Sequence, residues 1–418
     1  METYIPRIID SIIERSVRYS GGILIEGVKG CGKTRSASMH SKSSIYLHDP
    51  YEYPNYKKMA ETMPALILEG EAPRLIDEWQ LFPELWNGIK YLIDVREDPG
   101  QFILTGSATP PADDNRHSGA GRITRVLMRP LSLFESGDSN GTISLEGLFA
   151  SSDIKGASSL SVKGMVSALI RGGWPATINK DKAYSAEYIK NYINNVANID
   201  ISSVDNVKRN PLLVWQLLRS ISRNVSTVVS NTTIQRDIQN CESISDKTLS
   251  GYINALNRIY ILEDLYAWNP SLRSSAIVRT SPKRHFVDPS IATSILNVSE
   301  EALLKDMNTL GFLFESLCIR DLRIYAESID GEVYHYRDSS DFEIDAIVQM
   351  RDGRWGAIEI KLGMNEIDKA SRNLLRLRDS IDEERMMKPS FLMILTAGQH
   401  AFTLEDGIMV VPIGCLRN

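Results

Sequence analysis

The segment Gly27–Thr34 constrains the fold of this chain more than any other, because it fits the pattern G-x-x-x-x-G-K-[ST] in full. Phosphates need backbone N–H groups directed into one concavity, and glycines permit the turns and the close approach. An apolar strand is predicted at Gly22–Glu26, and a helix near Lys33 would present its positive end. The pattern predicts an ATP site in which Lys33 reaches the β- and γ-phosphates and Thr34 binds Mg²⁺. The candidate nucleotide-binding residues are Gly27, Val28, Lys29, Gly30, Cys31, Gly32, Lys33 and Thr34.

A second apolar stretch, Arg74–Ile76, ends in the two carboxylates Asp77 and Glu78. Strands that end in acids are common, but this one follows a complete phosphate loop. We therefore interpret Asp77 as a residue that holds Mg²⁺ through water, and Glu78 as the residue that polarises the attacking water. Glu71 is a poor rival, because it lies before the strand.

The next apolar strand, Gln101–Thr105, leads into Thr105-Gly106-Ser107. Ser107 or Thr105 is a candidate for orienting water beside the γ-phosphate, and the alternative is a turn with local hydroxyl bonding. Three arginines follow. We take Arg122 as the first candidate for an arginine finger that acts in a neighbouring subunit, with Arg125 and Arg129 as alternatives. An ordinary exposed arginine is the competing interpretation.

The composition sets limits on the class of protein. With 418 residues, two or three domains are expected. The net charge of −6 argues against a surface built for bulk nucleic-acid binding, although one local basic patch stays possible. Four separated cysteines predict neither a disulfide framework nor a zinc site. No apolar run reaches the ~18–20 residues of a membrane span. We therefore expect a cytoplasmic protein without a membrane partner.

The order of apolar patterns predicts an α/β fold in three parts. Residues 1–135 alternate strands and helices, which predicts a parallel-sheet P-loop domain, with a further strand at Leu66–Leu68 and a loop at Pro110–Gly121. Residues 136–160, rich in Ser, Gly and Asp, are predicted to be a linker. Residues 161–290 are helical and end in a β-ribbon, which is a winged-helix pattern. Residues 291–418 are predicted to form a second α/β unit, with strands at Glu332–Tyr336, Glu343–Gln349, Trp355–Ile360, Phe391–Thr396 and Ile408–Pro412.

In the middle part, Asp246–Ile261 has the spacing of an amphipathic helix, and Gly172-Gly173 is expected to end an earlier helix after Ile170. Strand candidates follow at Glu263–Trp268, Ala276–Arg279 and Arg284–Val287. The basic group Lys283-Arg284-His285 is either a wing that contacts DNA phosphates or a solvated turn.

The last part carries a second constellation of charged residues. Asp345 lies in the predicted strand Glu343–Gln349, and Glu359 and Lys361 lie on one side of the next strand. A hairpin would place the two carboxylates together as candidate metal ligands, with Lys361 available to orient water. Glu315, on a preceding helix, would complete a candidate nuclease site. Cross-strand ion pairs are the competing interpretation.

Motifs over nearly the full length resemble prokaryotic AAA-type ATPases that carry a C-terminal domain of unknown function with a restriction-endonuclease-like fold. The matching segments are Gly27–Thr34, Leu75–Gln80, Thr105–Ser107, Gly121-Arg122, Arg129–Ser132, Arg171–Pro175, Ser281–Lys283, Phe286–Pro289, Gly311–Ser316, Glu343–Asp345 and Glu359–Lys361. The resemblance implies an AAA-like core, a winged-helix middle and a nuclease-like end.

Three functions compete at this point. The first is an ATPase that couples nucleotide state to DNA binding or remodelling, with ATP and Mg²⁺ as its ligands. The second is an ATP-dependent metal nuclease acting through Asp345 and Glu359. The third is a nucleotide-switched scaffold for a protein partner in defence or signalling. In each of them the chain is expected to form a homo-oligomer or an oligomer that depends on nucleotide.

Overall fold

The computed structural model describes residues 4–108, 119–150, 154–238, 244–268, 281–382, 384 and 386–418. The predicted loop at Pro110–Gly121 and the predicted strand Ala276–Arg279 lie largely or wholly outside them. Contacts divide the chain into two compact units. Unit 1 consists of Met1–Pro130, Asn198–Arg209 and Tyr252–Ile261, and unit 2 consists of Leu131–Ala197, Asn210–Gly251 and Leu262–Asn418.

Unit 1 is built on a parallel five-stranded sheet, as the sequence predicts. Its strands are β1 (Gly22–Glu26), β2 (Ser43–Tyr46), β3 (Arg74–Asp77), β4 (Phe102–Gly106) and β5 (Ile123–Leu127). They lie in the order β2-β3-β4-β1-β5, and all neighbours are parallel. Strand β4 therefore separates the strand that leads into the phosphate loop from the strand that ends in Asp77.

Helices cover this sheet, whose strand residues Ile23, Leu24 and Ile25 are fully buried. The helices are α1 (Ile9–Val17), α2 (Lys33–Met39), α3 (Tyr53–Thr62), α4 (Pro64–Leu68) and α5 (Leu85–Arg96). The prediction of a strand at Leu66–Leu68 is wrong, because these residues end α4. Pro64 begins this helix, which suits its fixed φ and missing N–H, and a run of three apolar residues cannot by itself distinguish strand from helix.

The described residues of the segment predicted to be a linker, 136–150 and 154–160, belong to unit 2 and contain regular secondary structure. It contains β6 (Ile143–Ser144), α6 (Leu145–Leu148) and β7 (Gly156–Ala157). Its Ser and Gly residues have specific local roles: the Ser144 hydroxyl, for example, accepts a hydrogen bond from the Gly147 N–H and so caps α6. A polar composition that is typical of linkers here supplies caps and short paired strands.

Unit 2 contains a seven-stranded sheet in the order β7-β12-β13-β11-β10-β9-β8. Five of its strands match the prediction closely: β8 (Gly331–Arg337), β9 (Glu343–Met350), β10 (Trp355–Lys361), β11 (Phe391–Thr396) and β13 (Met409–Pro412). The strand β12 (His400–Thr403) was not predicted. A two-residue strand, β14 (Leu416–Arg417), pairs with β6. Strands β9 and β10 form the predicted antiparallel hairpin.

Between β7 and β8 the chain is mostly helical, as predicted, and one further helix follows β10. The helices are α7 (Val162–Arg171), α8 (Lys182–Asn195), α9 (Ile201–Ser203), α10 (Pro211–Arg223), α11 (Asn231–Ile238), α12 (Asp246–Arg258), α13 (Pro289–Leu296), α14 (Glu300–Lys305), α15 (Met307–Ser328) and α16 (Ile367–Ser380). A π-helical turn, Val196–Asp200, links α8 to α9. None of the helices in the described ranges is long and apolar enough to cross a membrane.

The winged-helix assignment stays a prediction. Leu262 and Leu265 form isolated antiparallel bridges with Phe286 and Lys283, rather than a continuous ribbon. Residue 290 lies within α13 (Pro289–Leu296), and the whole of Leu262–Asn418 belongs to unit 2, so the boundary predicted there does not separate units.

Both interpretations of Lys283-Arg284-His285 as a surface group are wrong. The side chains of Lys283 and His285 are almost completely buried, and the Arg284 guanidinium pairs with Asp264. Lys283 and Arg284 pair with carboxylates that are distant in the sequence, so the local sequence does not reveal the burial of this group.

Candidate active site

The phosphate loop has a backbone that only glycine accommodates at its key turns. Gly27 has φ +150°, and a Cβ atom there would lie 2.1 Å from the carbonyl oxygen of Met128. Gly32, with φ 107°, precedes the first residue of α2. Lys33 is buried, and its Nζ donates to the carbonyl oxygens of Gly27 at 2.8 Å and Val28 at 2.9 Å. The lysine ammonium is thus held against the loop itself.

Arg7 supports the loop from outside the motif. Its guanidinium donates to the Cys31 carbonyl at 2.7 Å and to the Arg129 carbonyl at 2.8 Å. This ties the loop to the end of β5. Arg7 was not predicted as a site residue, because a single arginine before the first helix carries no local pattern that points to a loop 24 residues away.

Asp77 lies where Thr34 and Thr105 meet. Both hydroxyls donate to its Oδ1, at 2.7 Å from Thr34 and 2.6 Å from Thr105. The Oδ2 atom is buried and has no hydrogen-bond partner among the described residues. His48 Nδ1 lies 3.3 Å from it, but without hydrogen-bond geometry. A buried carboxylate oxygen is costly to leave unpaired, and carboxylate and hydroxyl oxygens are the ligands that Mg²⁺ prefers. The residues present therefore fit Mg²⁺.

Glu78 follows directly with a strained backbone. Its φ of 58° and ψ of 46° place a non-glycine residue in the left-handed region, which costs roughly 1–3 kcal/mol. The Glu78 N–H donates to Thr105 Oγ1 at 3.0 Å, and the Ser107 hydroxyl donates to Glu78 Oε2 at 2.9 Å. The Gln80 amide contacts the same Oε2 atom and donates to Ser107 Oγ at 3.3 Å. The carboxylate is thus held in one orientation.

The strand order explains this convergence. Because β4 lies between β1 and β3, Thr105 and Ser107 at its carboxyl end stand between the phosphate loop and the acids. The structure brings together Thr34, Asp77, Glu78 and Ser107, as the sequence indicates; the chemical roles assigned to them stay predictions. His48 and Gln80 were missed. The pairing of β2 with β3 could have indicated His48, which comes two residues after the partner of Asp77.

Arg122 does not join this site within its own chain. Its carbonyl accepts from the Gly22 N–H, which places it at the amino-terminal edge of the parallel sheet. The phosphate loop follows the opposite, carboxyl-terminal edge. The Arg122 guanidinium pairs with Asp94, and Arg125 pairs with Glu26 at 2.8 Å. A role for Arg122 as a finger is therefore confined to a neighbouring subunit, where it stays a prediction.

Lys29, at a variable position of the loop, makes a contact far along the chain. Its Nζ lies 2.6 Å from the carboxylate of Asp200, the last residue of the π-helical turn. Both residues belong to unit 1. The pair joins the phosphate loop to the segment Asn198–Arg209. The two residues are 171 positions apart in the sequence, so no local pattern predicts their contact.

In unit 2 the second predicted constellation also converges. Lys361 Nζ lies 2.8 Å from Asp345 and 2.5 Å from Glu359. Lys283, which was not predicted here, lies 2.8 Å from Glu315 and 3.9 Å from Asp345, and also pairs with Glu343. We call these six residues the Lys283 cluster: Lys283, Glu315, Glu343, Asp345, Glu359 and Lys361.

The carboxyl groups of the Lys283 cluster respond differently to burial. Burial, and then the charge of Asp345, raises the pKa of Glu359 to about 8. Burial raises the pKa of Glu315 to about 7, against the opposing charge of Lys283. Burial also favours a raised pKa for Asp345, but the ammonium groups of Lys361 and Lys283 outweigh it and lower this pKa to about 2. Among the described residues, no group of three or more His, Cys, Asp or Glu is arranged to hold a metal ion.

Comparison with protein families identifies the class of the first part. The AAA domain model matches residues 20–136. Together with the phosphate loop and the parallel sheet, this match supports a P-loop ATPase domain in residues 20–136. Two further models match the rest of the chain: a domain of unknown function (DUF8612) over residues 163–302 and another (DUF4143) over residues 310–416. Neither of these descriptions confirms a winged helix or a nuclease.

The chain is also similar to two mycobacterial proteins. These are the uncharacterized protein Rv2008c of Mycobacterium tuberculosis and the uncharacterized protein Mb2031c of Mycobacterium bovis. Each is 22% identical over 404 residues, which cover 96% of this chain and 82% of the relative. Among solved structures, the Walker-type ATPase PABY2304 of Pyrococcus abyssi matches with a TM-score of 0.46 and 16% identity, over 70% of this chain and 96% of that one.

Proposed function

We propose that unit 1 hydrolyses ATP with Mg²⁺. The observation that carries this proposal is the convergence of Thr34, Asp77 and Glu78 beside a complete phosphate loop. Glycine N–H groups of the loop bind phosphate oxygens. Lys33, which donates to two loop carbonyls, exchanges these acceptors for the β- and γ-phosphates.

Thr34 and Asp77 Oδ2, which accepts no hydrogen bond from the described residues, would hold Mg²⁺, which when bound neutralises charge on the phosphates. Glu78 polarises the attacking water. Ser107 and Gln80 fix the Glu78 carboxylate, so that it need not reorganise when the water arrives. The two hydroxyl groups at the carboxyl end of β4 thus act on different acids: Thr105 positions Asp77, and Ser107, directly after the strand, positions Glu78.

Phosphate release at saturating Mg²⁺–ATP tests this proposal. We expect Glu78→Gln to lower kcat by roughly a hundredfold while nucleotide binding is kept, since it removes the group that orients water. Glu71→Gln is the matched control. Glu71 is an exposed acid that lies before the same strand and pairs with Lys42. Equal loss in both variants, or none in either, would contradict the role of Glu78.

For the work that hydrolysis drives, we propose coupling to DNA binding or remodelling. The support is the sequence resemblance and the Lys29–Asp200 pair, which gives the phosphate loop a direct contact with a distant segment. Because Lys283-Arg284-His285 is buried, a different surface must bind the phosphates. Filter binding of labelled duplex DNA at low salt, with and without ATP, tests the proposal. Absence of binding in both states would exclude DNA and leave a protein partner or nuclease activity to be tested.

A further inference from the structure

The centre of the Lys283 cluster is an ammonium group. Lys283 Nζ faces carboxylates from three positions: Glu315 on α15, and Glu343 and Asp345 on β9. Its side chain is only 2% exposed. Oxygen ligands from a helix and a strand that surround one buried cation are what a divalent metal site requires. Here the cation belongs to the chain itself.

The carboxylates of Asp345 and Glu359 are also paired with donors from the chain itself. Lys361 lies 2.8 Å from the second oxygen of Asp345 and 2.5 Å from Glu359. Asn373 donates to the other Glu359 oxygen at 2.8 Å, and the Ile360 N–H donates to Asp345 at 2.7 Å. Both oxygens of Asp345 therefore face an ammonium, and both oxygens of Glu359 have partners. These contacts leave neither carboxylate with an oxygen directed at an incoming metal.

We propose that the ammonium of Lys283 takes the position of a divalent cation among Glu315, Glu343 and Asp345, so that the cluster excludes metal while Lys283 is present and becomes a metal site when this side chain is shortened. Carboxylate oxygens lie about 2.8 Å from an ammonium nitrogen but 2.0–2.6 Å from a divalent cation. Glu315 would therefore need to move little to hold a metal, whereas Asp345, which lies 3.9 Å from Lys283 Nζ, would have to approach by roughly 1.3–1.9 Å.

This inference does not depend on ATP hydrolysis, since it concerns unit 2. It also defines what the predicted nuclease chemistry lacks. The metal that would activate water beside Lys361 has no place until Lys283 withdraws.

Binding of Mn²⁺ to the full-length chain without nucleotide tests the inference, with free Mn²⁺ measured by electron paramagnetic resonance. Four proteins are compared: wild type, Asp345→Asn, Lys283→Ala and the double variant. Any Mn²⁺ at the phosphate loop is common to all four and cancels. We expect wild type and Asp345→Asn to bind equally, and Lys283→Ala to bind one Mn²⁺ more than the double variant.

Two results would overturn the inference. One is a wild-type protein that binds one Mn²⁺ more than Asp345→Asn, because the site would then be open with Lys283 in place. The other is a folded Lys283→Ala variant that binds no more than the double variant. If Lys283→Ala folds only when Mn²⁺ is added, and only while Asp345 is present, the inference holds; if Mn²⁺ does not restore its folding, the inference fails.

Discussion

Two acidic sites in this molecule are made from the same kinds of residue and differ in how their charge is balanced. In unit 1, Asp77 receives two hydroxyl hydrogen bonds and keeps one buried oxygen without a hydrogen-bond partner among the described residues. In unit 2, Asp345 has an ammonium facing each oxygen. A carboxylate at a buried strand position is therefore insufficient to identify a metal site. The cations around it decide whether it can accept an ion.

The largest effect is expected when the charge balance of the Lys283 cluster is broken. Lys283→Ala leaves buried carboxylates without their cation, and the loss of one partner of a buried pair typically costs 3–5 kcal/mol, so a destabilisation of about that size is expected. Chemical denaturation without metal measures it. Lys42→Ala is the control, because Lys42 is 60% exposed and pairs with an exposed glutamate. It should cost less than about 1 kcal/mol. Similar costs for both would mean that burial of Lys283 has little energetic weight.

The role of Asp77 Oδ2 as a Mg²⁺ ligand is tested by Asp77→Asn. This change keeps the size of the side chain but removes the charge that attracts Mg²⁺, so we expect kcat to fall by roughly a hundredfold and Mg²⁺ to strengthen ATP binding less than in wild type. Asp98→Asn serves as the control, since Asp98 is an exposed acid in the loop before β4, at the opposite end of the strand from Thr105. If both variants keep their activity, Asp77 does not hold the metal.

A smaller effect is expected from Ser107→Ala. Loss of the hydroxyl frees the Glu78 carboxylate on one side, while the Gln80 contact is kept. We expect roughly a tenfold decrease in kcat with an unchanged KM, since the hydroxyl positions a group that acts only in the transition state. Steady-state phosphate release at several ATP concentrations separates the two constants. A change in KM alone would place Ser107 in nucleotide binding instead.

The smallest effect concerns pH. The pKa of Glu359 is raised in the folded state to about 8, so its contribution to stability is fully present below its unfolded pKa, near 4.5, and is lost as pH rises to about 8. The slope is at most about 1.4 kcal/mol per pH unit. Glu359→Gln should flatten the decline in melting temperature between pH 5 and 8, whereas Asp352→Asn, at an exposed acid, should not. An unchanged slope in Glu359→Gln would show that Glu359 does not titrate in this range.

Local patterns predicted much of the molecule, and long-range contacts account for the rest. The phosphate loop, β1 and β11 were predicted to the residue, because glycine geometry and apolar runs are local properties. The convergence of Asp345, Glu359 and Lys361 followed from strand alternation across a hairpin. Lys283 could not be assigned, because its partners lie 32 or more residues away along the chain. The prediction of a strand at Leu66–Leu68 was wrong for a different reason, because three apolar residues are too few to show a periodicity.

The path of the chain between the units has a further consequence. The chain passes from one unit to the other after Pro130, Ala197, Arg209, Gly251 and Ile261. A gene fragment that encodes only the first 130 residues would lack Asp200, the partner of Lys29, and the buried Ile201. The ATPase unit of this protein therefore cannot be exchanged between chains as one contiguous cassette. A gene exchange that keeps unit 1 whole must also carry Asn198–Arg209 and Tyr252–Ile261. Because parts of unit 2 lie between these segments, the two units are inherited together.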